Sequence, residues 1–284
     1  MASQRLRGGA TATDHADALG AGYWDTVSES MDAGGHYLDR FLGDLKTQAY
    51  LGLFARWLPV PPVPALKTDL FEESNGVDSL LWRIASPPAN TYGMDLSPQM
   101  ARRAMEQEPE PYGGFVSADA RRLPFASASL GFVFSPSTLD HFEDRADLAV
   151  SLREILRVLR PGGVLLITLA NRSNIGDPLR RLAIRMRIAP YYIGASYSPA
   201  QLRRELESAG FLVREQSALV HHPRMMGVAC ARLASLIRWR WLTRAFQRAL
   251  LAMQRCADTR WRYATGCFVA ALAAKPLPGE ISEP

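Results

Sequence analysis

The sequence predicts an α/β fold built on a doubly wound sheet with helices on both faces, and three observations predict it. Phe132, Val133 and Phe134 form a short apolar run bounded by Gly131 and Ser135-Pro136, as a buried strand requires. Leu148, Leu152, Ile155 and Leu159 recur at spacings of four, three and four, which is one face of a helix. Arg157 and Arg160 fall in its last turn, where the dipole favours cations. Pro161-Gly162-Gly163 is expected to stop that helix and turn the chain. Val164 to Leu169 is then apolar except for Thr168, the pattern of a strand covered on both faces. Strand, crossover helix and parallel strand make half of a doubly wound sheet.

The same stretch carries Asp119-Ala120, Leu123-Pro124-Phe125, Ser129-Leu130, Val133, Ser135, Leu139, His141, Asp144, Glu154, Arg157-Val158-Leu159 and Pro161-Gly162-Gly163. In that register it resembles the class I S-adenosylmethionine-dependent methyltransferases, and departs at Gly131, where that family usually has aspartate. The resemblance implies a Rossmann-like, seven-stranded methyltransferase sheet whose last strand is reversed. It also implies an N-terminal helical cover, and S-adenosylmethionine as cofactor.

At 284 residues the chain can bury a full core, and one domain with an insertion is expected. The expected parts are a disordered start (1–21), a helical cover (22–60), the core (61–220), a basic amphipathic helical insertion (221–264), the last core strand (265–276) and a tail (277–284). The start lacks the apolar centre of a signal peptide, and no run of ~18 apolar residues spans a bilayer. Cys230, Cys256 and Cys267 show no metal or redox spacing, so buried thiols in a reducing, cytoplasmic setting are expected, with no metal. Lysine occurs only at 46, 67 and 275. The formal net charge is +5, yet residues 221–264 alone carry nine arginines against one acid, Asp258. The remaining body is net acidic, which argues against a nucleic-acid surface.

Along the chain, Gly22 to Trp57 reads as helical, with Trp24, Val27, Met31, Tyr37, Leu38, Phe41 and Leu45 apolar. It either covers the cofactor or simply packs at the sheet. The proline-rich 58–64 cannot continue a helix. Ala65 to Leu70 is the expected first strand. The resembling family follows it with an acid and a glycine-rich loop, but here the chain runs Thr68-Asp69-Leu70-Phe71-Glu72-Glu73-Ser74-Asn75-Gly76. Either Thr68, Asp69 and Glu72, with Gly76, form a variant cofactor site, or the site has decayed. Polar residues directly after a strand favour the variant site. Val77 to Ala85 is read as the first crossover helix and Thr91 to Met94 as the second strand. Asp95 then stands where a carboxylate can accept both ribose hydroxyls, with Leu96 beside it. Ser97 caps a helix that has Pro98 at its first position.

Phe115-Val116 is the third strand. The resemblance places Asp119 on the adenine amino group, with the backbone near Ala120 against the ring, and brings Ser135 to the cofactor. Arg121 and Arg122 are expected to be solvated. Asp140 and His141, the one adjacent acid–imidazole pair in this core, are candidate catalytic residues, because a histidine near neutrality can take a proton from an acceptor. A structural duty for His141 is the other reading. Arg172 to Tyr197, with Tyr191-Tyr192, is expected to line an acceptor pocket. Ser198 and Gln201 form a capping box for a helix closed by Gly210. Strands follow at Phe211 to Val220 and Gly266 to Ala274.

Between them, Met225 to Tyr263 is helical and two-faced. Leu242, Phe246, Ala249, Leu250 and Met253 lie on one side of the wheel, and Arg240, Arg244, Arg248, Leu251 and Arg255 on the other. Three readings are open: a stripe packed on the protein's own core, a cap over a hydrophobic small-molecule acceptor, or an interfacial segment that touches anionic lipid. The expected function is methyl transfer to O, N or C of a small acceptor. The alternative is a non-catalytic partner that keeps the fold without the cofactor.

Overall fold

The computed structural model describes residues 20–34, 40–76, 80–84, 88–107, 113–142, 144–186, 194–221 and 240–280. The expected disordered start through residue 19, Tyr37, Tyr191-Tyr192, Cys230, the insertion before Arg240 and the tail from 281 lie outside them.

Seven strands form one sheet: Ala65–Thr68 (β1), Thr91–Asp95 (β2), Gly114–Ser117 (β3), Leu130–Pro136 (β4), Leu159–Ala170 (β5), Leu212–Leu219 (β6) and Phe268–Ala274 (β7). Their order is β3-β2-β1-β4-β5-β7-β6. Every pairing is parallel except those of β7, which runs antiparallel to β5 and β6. The helices are Ala21–Gly34 (α1), Arg40–Trp57 (α2), Phe71–Ser74 (α3), Leu81–Ile84 (α4), Pro98–Glu106 (α5), Arg145–Val158 (α6), Asp177–Arg185 (α7), Pro199–Ser208 (α8), Arg240–Met253 (α9) and Arg262–Thr265 (α10).

Period-two alternation divides the core between the two faces of the sheet. On one face Leu165, Ile167 and Leu169 of β5, with Val269, Ala271 and Ala273 of β7, pack against α6 and α8. On the other, Phe132, Phe134 and Leu166 pack against Tyr50, Leu53 and Phe54 of α2. The Phe54 ring meets Phe132 and Phe134 edge-on, with centroids 6.0 and 5.1 Å away. Tyr50 Oη is 2.9 Å from Thr168 Oγ1, so the one polar residue of the β5 apolar run is satisfied by α2.

Gly131 sits at an irregularity in the β4–β5 register. A Cβ there would come within 2.9 Å of the Val63 carbonyl oxygen, which excludes the aspartate usual in the resembling family.

Three expectations need correction. Pro161-Gly162-Gly163 does not stop α6: the helix ends at Val158, and Leu159 already pairs with Leu130 as strand. Lys275 Nζ donates to the Leu156 and Leu159 carbonyls, both at 2.7 Å, and satisfies the end of α6. Of the expected helix Val77 to Ala85, residues 77–79 and 85 lie outside the described residues, and Leu81–Ile84 is helical. Cys256 and Cys267 are half-buried rather than buried, although Cys267 packs against the edge of the core. Arg122 is exposed as expected, but Arg121 is only partly solvated, because Asp119 and Asp147 hold its guanidinium. In the described part of the insertion, Phe246, Leu250 and Met253 of α9 pack on Phe41, Leu42 and Leu45 of α2. The apolar stripe is therefore turned onto the protein's own core.

Candidate functional site

The strand order reverses between β1 and β4, so the carboxyl ends of β1, β2 and β4 open at a topological switch point. Three hydroxyls meet there. Thr68 Oγ1 donates to Ser135 Oγ at 3.0 Å and lies 3.0 Å from Thr138 Oγ1. Next to them, at the end of β2, the Asp95 carboxylate accepts from the backbone N–H of Ser97 at 2.8 Å and of Leu70 at 2.9 Å. Burial pushes this carboxyl up to about 6 even though both N–H groups favour its ionised form. Leu96 is half-buried beside it.

The segment after β1 is not an open loop. Asp69 holds a left-handed φ of 76° and accepts from Phe71 N–H at 2.8 Å, a side-chain bond that starts the single turn of α3. Burial, with the Glu72 carboxylate next, raises Asp69 well above the usual carboxylate range. Gly76 closes the turn at a φ of 64°, where a side chain would be strained. The turn places Glu72 and Glu73 inside the protein.

Both acids meet lysines. Lys67 Nζ is 2.7 Å from Glu73 Oε2 and 3.7 Å from Glu72 Oε2, and it also donates to the Asp69 carbonyl. Lys46, from α2, donates to Glu72 Oε1. Burial opposes the charge on Glu72, but Lys46 and Lys67 hold it at about 2. Burial likewise opposes the charge on Lys67, and Glu73, Glu72 and Asp69 together still raise it. The second oxygen of Glu73 accepts from Leu81 N–H at 2.8 Å, tying α3 to α4.

Asp119 follows β3 with a partly exposed carboxylate in a two-pronged pair with Arg121, 2.6 Å at its shortest. Burial opposes ionisation, but the Arg121 bonds hold Asp119 low. Ala120, beside it, is buried. Asp140 is buried at the end of β4, where it accepts from Ala170 N–H at 2.7 Å and Ser137 Oγ at 3.0 Å. These bonds fix the turn above β4. His141 is half-buried, and Trp24 of α1 stands edge-on to it at 5.0 Å between centroids. The next residue of α1, Asp25, accepts from Ser97 Oγ. Helix α1 thus spans from the end of β2 to the end of β4.

Sequence reasoning missed Lys46, Lys67, Thr138 and the Trp24–His141 contact. The signal for Lys67 was present: it is one of only three lysines, and it interrupts an apolar strand. Among the described residues no cluster of three potential metal ligands exists.

Comparison with known proteins fits this geometry. The family profile described as a methyltransferase domain matches residues 75–167. Residues 75–167 form a methyltransferase domain of the class I, S-adenosylmethionine-dependent kind. The matched stretch runs from β2 through most of β5 and does not reach β1, α1, α2 or the insertion. The chain is similar to the 2-methyl-6-phytyl-1,4-hydroquinone methyltransferase of Synechocystis sp., 37% identical over 79 residues, which are 28% of this chain and 24% of that protein. It is also similar to the malonyl-(acyl-carrier protein) O-methyltransferase of Dechloromonas aromatica, 29% identical over 140 residues, 48% of this chain and 49% of that protein. The chain spans half the length of these relatives or less. Among solved structures, the fold is similar to the complex of the Haloferax volcanii Trm112 methyltransferase activator with a putative methyltransferase, at TM-score 0.57 and 18% identity over 88% of this chain and 97% of that one. A possible histamine N-methyltransferase of Thermotoga maritima gives TM-score 0.51 and 18% identity over 82% of this chain and 91% of that one.

The residues fit S-adenosylmethionine, the cofactor of this kind of domain. Each Asp95 oxygen uses one lone pair on a backbone N–H and keeps another for a ribose hydroxyl. The Thr68, Ser135 and Thr138 hydroxyls supply a polar floor. Where a glycine loop would cradle the amino-acid end, Lys46, Lys67, Glu72 and Glu73 are paired with one another instead.

Proposed function

We propose that this chain transfers a methyl group from S-adenosylmethionine to O, N or C of a small, hydrophobic acceptor. The observation that carries the reading is Asp95, a buried carboxylate held by two backbone N–H groups at the switch point of the sheet. When bound, the cofactor supplies a methyl already activated on a sulfonium, so the protein's task is chiefly to hold the acceptor in line and exclude water. Asp95, with Leu96 beside it, takes the ribose. Asp119 and Ala120 border the adenine, and Arg121 keeps the Asp119 carboxylate aimed. Thr68, Asp69, Glu72, Gly76 and Ser135 surround the amino-acid end.

His141 lies under Trp24 and is the candidate to take a proton from an acceptor hydroxyl or amine. Asp140 positions it through the turn rather than as a charge partner, since its carboxylate serves Ser137 and Ala170 N–H. A hydrophobic acceptor is supported by the relative named for a phytyl-hydroquinone. Radiolabelled methyl transfer to a panel of quinols, phenols and acyl thioesters tests the reading. Labelled product from one class, lost in Asp95→Ala, supports it, and no label on any class counts against it.

The α3 turn favours a second reading. A segment closed by buried ion pairs, where an open loop is usual, suits a partner protein that keeps the fold without catalysis. That reading predicts that S-adenosylhomocysteine does not bind at all.

A further inference from the structure

We propose that α7 and the α10 region form a basic, apolar surface that docks the protein onto an anionic lipid bilayer. Leu179 and Leu182 lie three apart on one side of α7, and Ile175 just before it and Met186 just after it extend the apolar run at spacings of four. Ile175, Leu179, Leu182 and Met186 are 86%, 64%, 50% and 60% exposed. Four large apolar side chains in one stripe are more than scattered surface residues.

The stripe adjoins α10. Ile175 N–H donates to the Ala264 carbonyl at 2.9 Å, and Asn174 Nδ2 donates to the Thr265 and Gly266 carbonyls at 2.9 and 2.8 Å. Trp261, 57% exposed, immediately precedes α10.

The charge around the stripe selects the occupant. Asp177, the only acid of α7, is buried and neutralised by Arg180 at 2.7 Å and Arg181 at 2.9 Å. Arg185, on α7 itself, and Arg260, next to Trp261, are both exposed. Apolar side chains with arginines on the same helix and beside Trp261 complement an interface of acyl chains beneath anionic headgroups, and tryptophan and arginine stems suit that depth. A second copy of this chain would set like-charged rims against each other. Helix α7 follows β5, so the surface lies at the same end of the sheet as Asp95 and Ser135. Lipid binding is measured without cofactor or acceptor, so it stands or falls apart from the methyl-transfer reading.

The test is co-sedimentation of the full chain with phosphatidylglycerol–phosphatidylcholine vesicles and with pure phosphatidylcholine vesicles. The expected result is binding to the anionic vesicles only, weakened by salt. Leu179→Gln with Leu182→Gln should lower the partition coefficient on the order of tenfold. Arg185→Gln with Arg260→Gln should lower it about 10–30-fold. Both pairs are exposed, so thermal melting should not move. No sedimentation, or sedimentation that neither pair alters, overturns the proposal. So does a concentration-dependent dimer that the leucine pair abolishes and that binds no vesicle.

Discussion

Lys67 Nζ lies 2.7 Å from Glu73 Oε2, and neither side chain reaches solvent. The pair stands at the end of β1, where the domain's relatives would have flexible glycines, and Lys46 extends it through Glu72. Two consequences follow. The segment is rigid and needs no ordering on binding, and its stability depends on every charge in the network keeping its partner. Lys67→Met should therefore cost about 3–5 kcal/mol in a denaturant melt, because it strands buried carboxylates. A loss below about 1 kcal/mol would mean that water reaches Glu73.

If Asp95 takes the ribose as proposed, cofactor binding depends on pH. Its carboxyl is raised to about 6, and ribose hydroxyls need its ionised form as acceptor. Binding is then fully present above that value and is lost as pH falls through it. Affinity for S-adenosylhomocysteine should drop about tenfold between about pH 7 and about pH 5. A flat profile would place the ribose elsewhere.

Trp24 closes α1 over His141. Trp24→Ala should leave the melt nearly unchanged and speed release of S-adenosylhomocysteine several-fold, on the order of 1 kcal/mol of lost contact. Stopped-flow release rates equal to wild type would show that α1 packs at the site without covering it.

Leu250 joins α9 to Leu42 and Leu45 of α2. Leu250→Ala should lower stability by about 2–5 kcal/mol, the usual cost of emptying a packed leucine site. An unchanged melt with lost acceptor turnover would instead restore the cap over the acceptor.

Much of this fold was legible because its signals are local. The Phe132–Phe134 run, the Leu148–Leu152–Ile155 helix face, the Ser97-Pro98 cap and the Ser198–Gln201 capping box all depend on neighbours in sequence, and each recurs in the structure. The position of Asp95 was legible for the same reason, as the residue that ends β2. The α3 turn was not, because Glu72 is held there by Lys46 from a helix before β1. Arg121 was misread because its second partner, Asp147, comes from α6. The Pro161-Gly162-Gly163 turn was misplaced because Leu159 is drawn into the sheet by Leu130.

The most direct test of the central claim is calorimetric titration of the full chain with S-adenosylhomocysteine. A single saturable site is predicted, weakened by about 1–3 kcal/mol in Asp95→Ala, the cost of losing hydrogen bonds to a charged group. No heat of binding, together with no shift in the melting temperature at high ligand concentration, would contradict the account and leave the chain a non-catalytic partner.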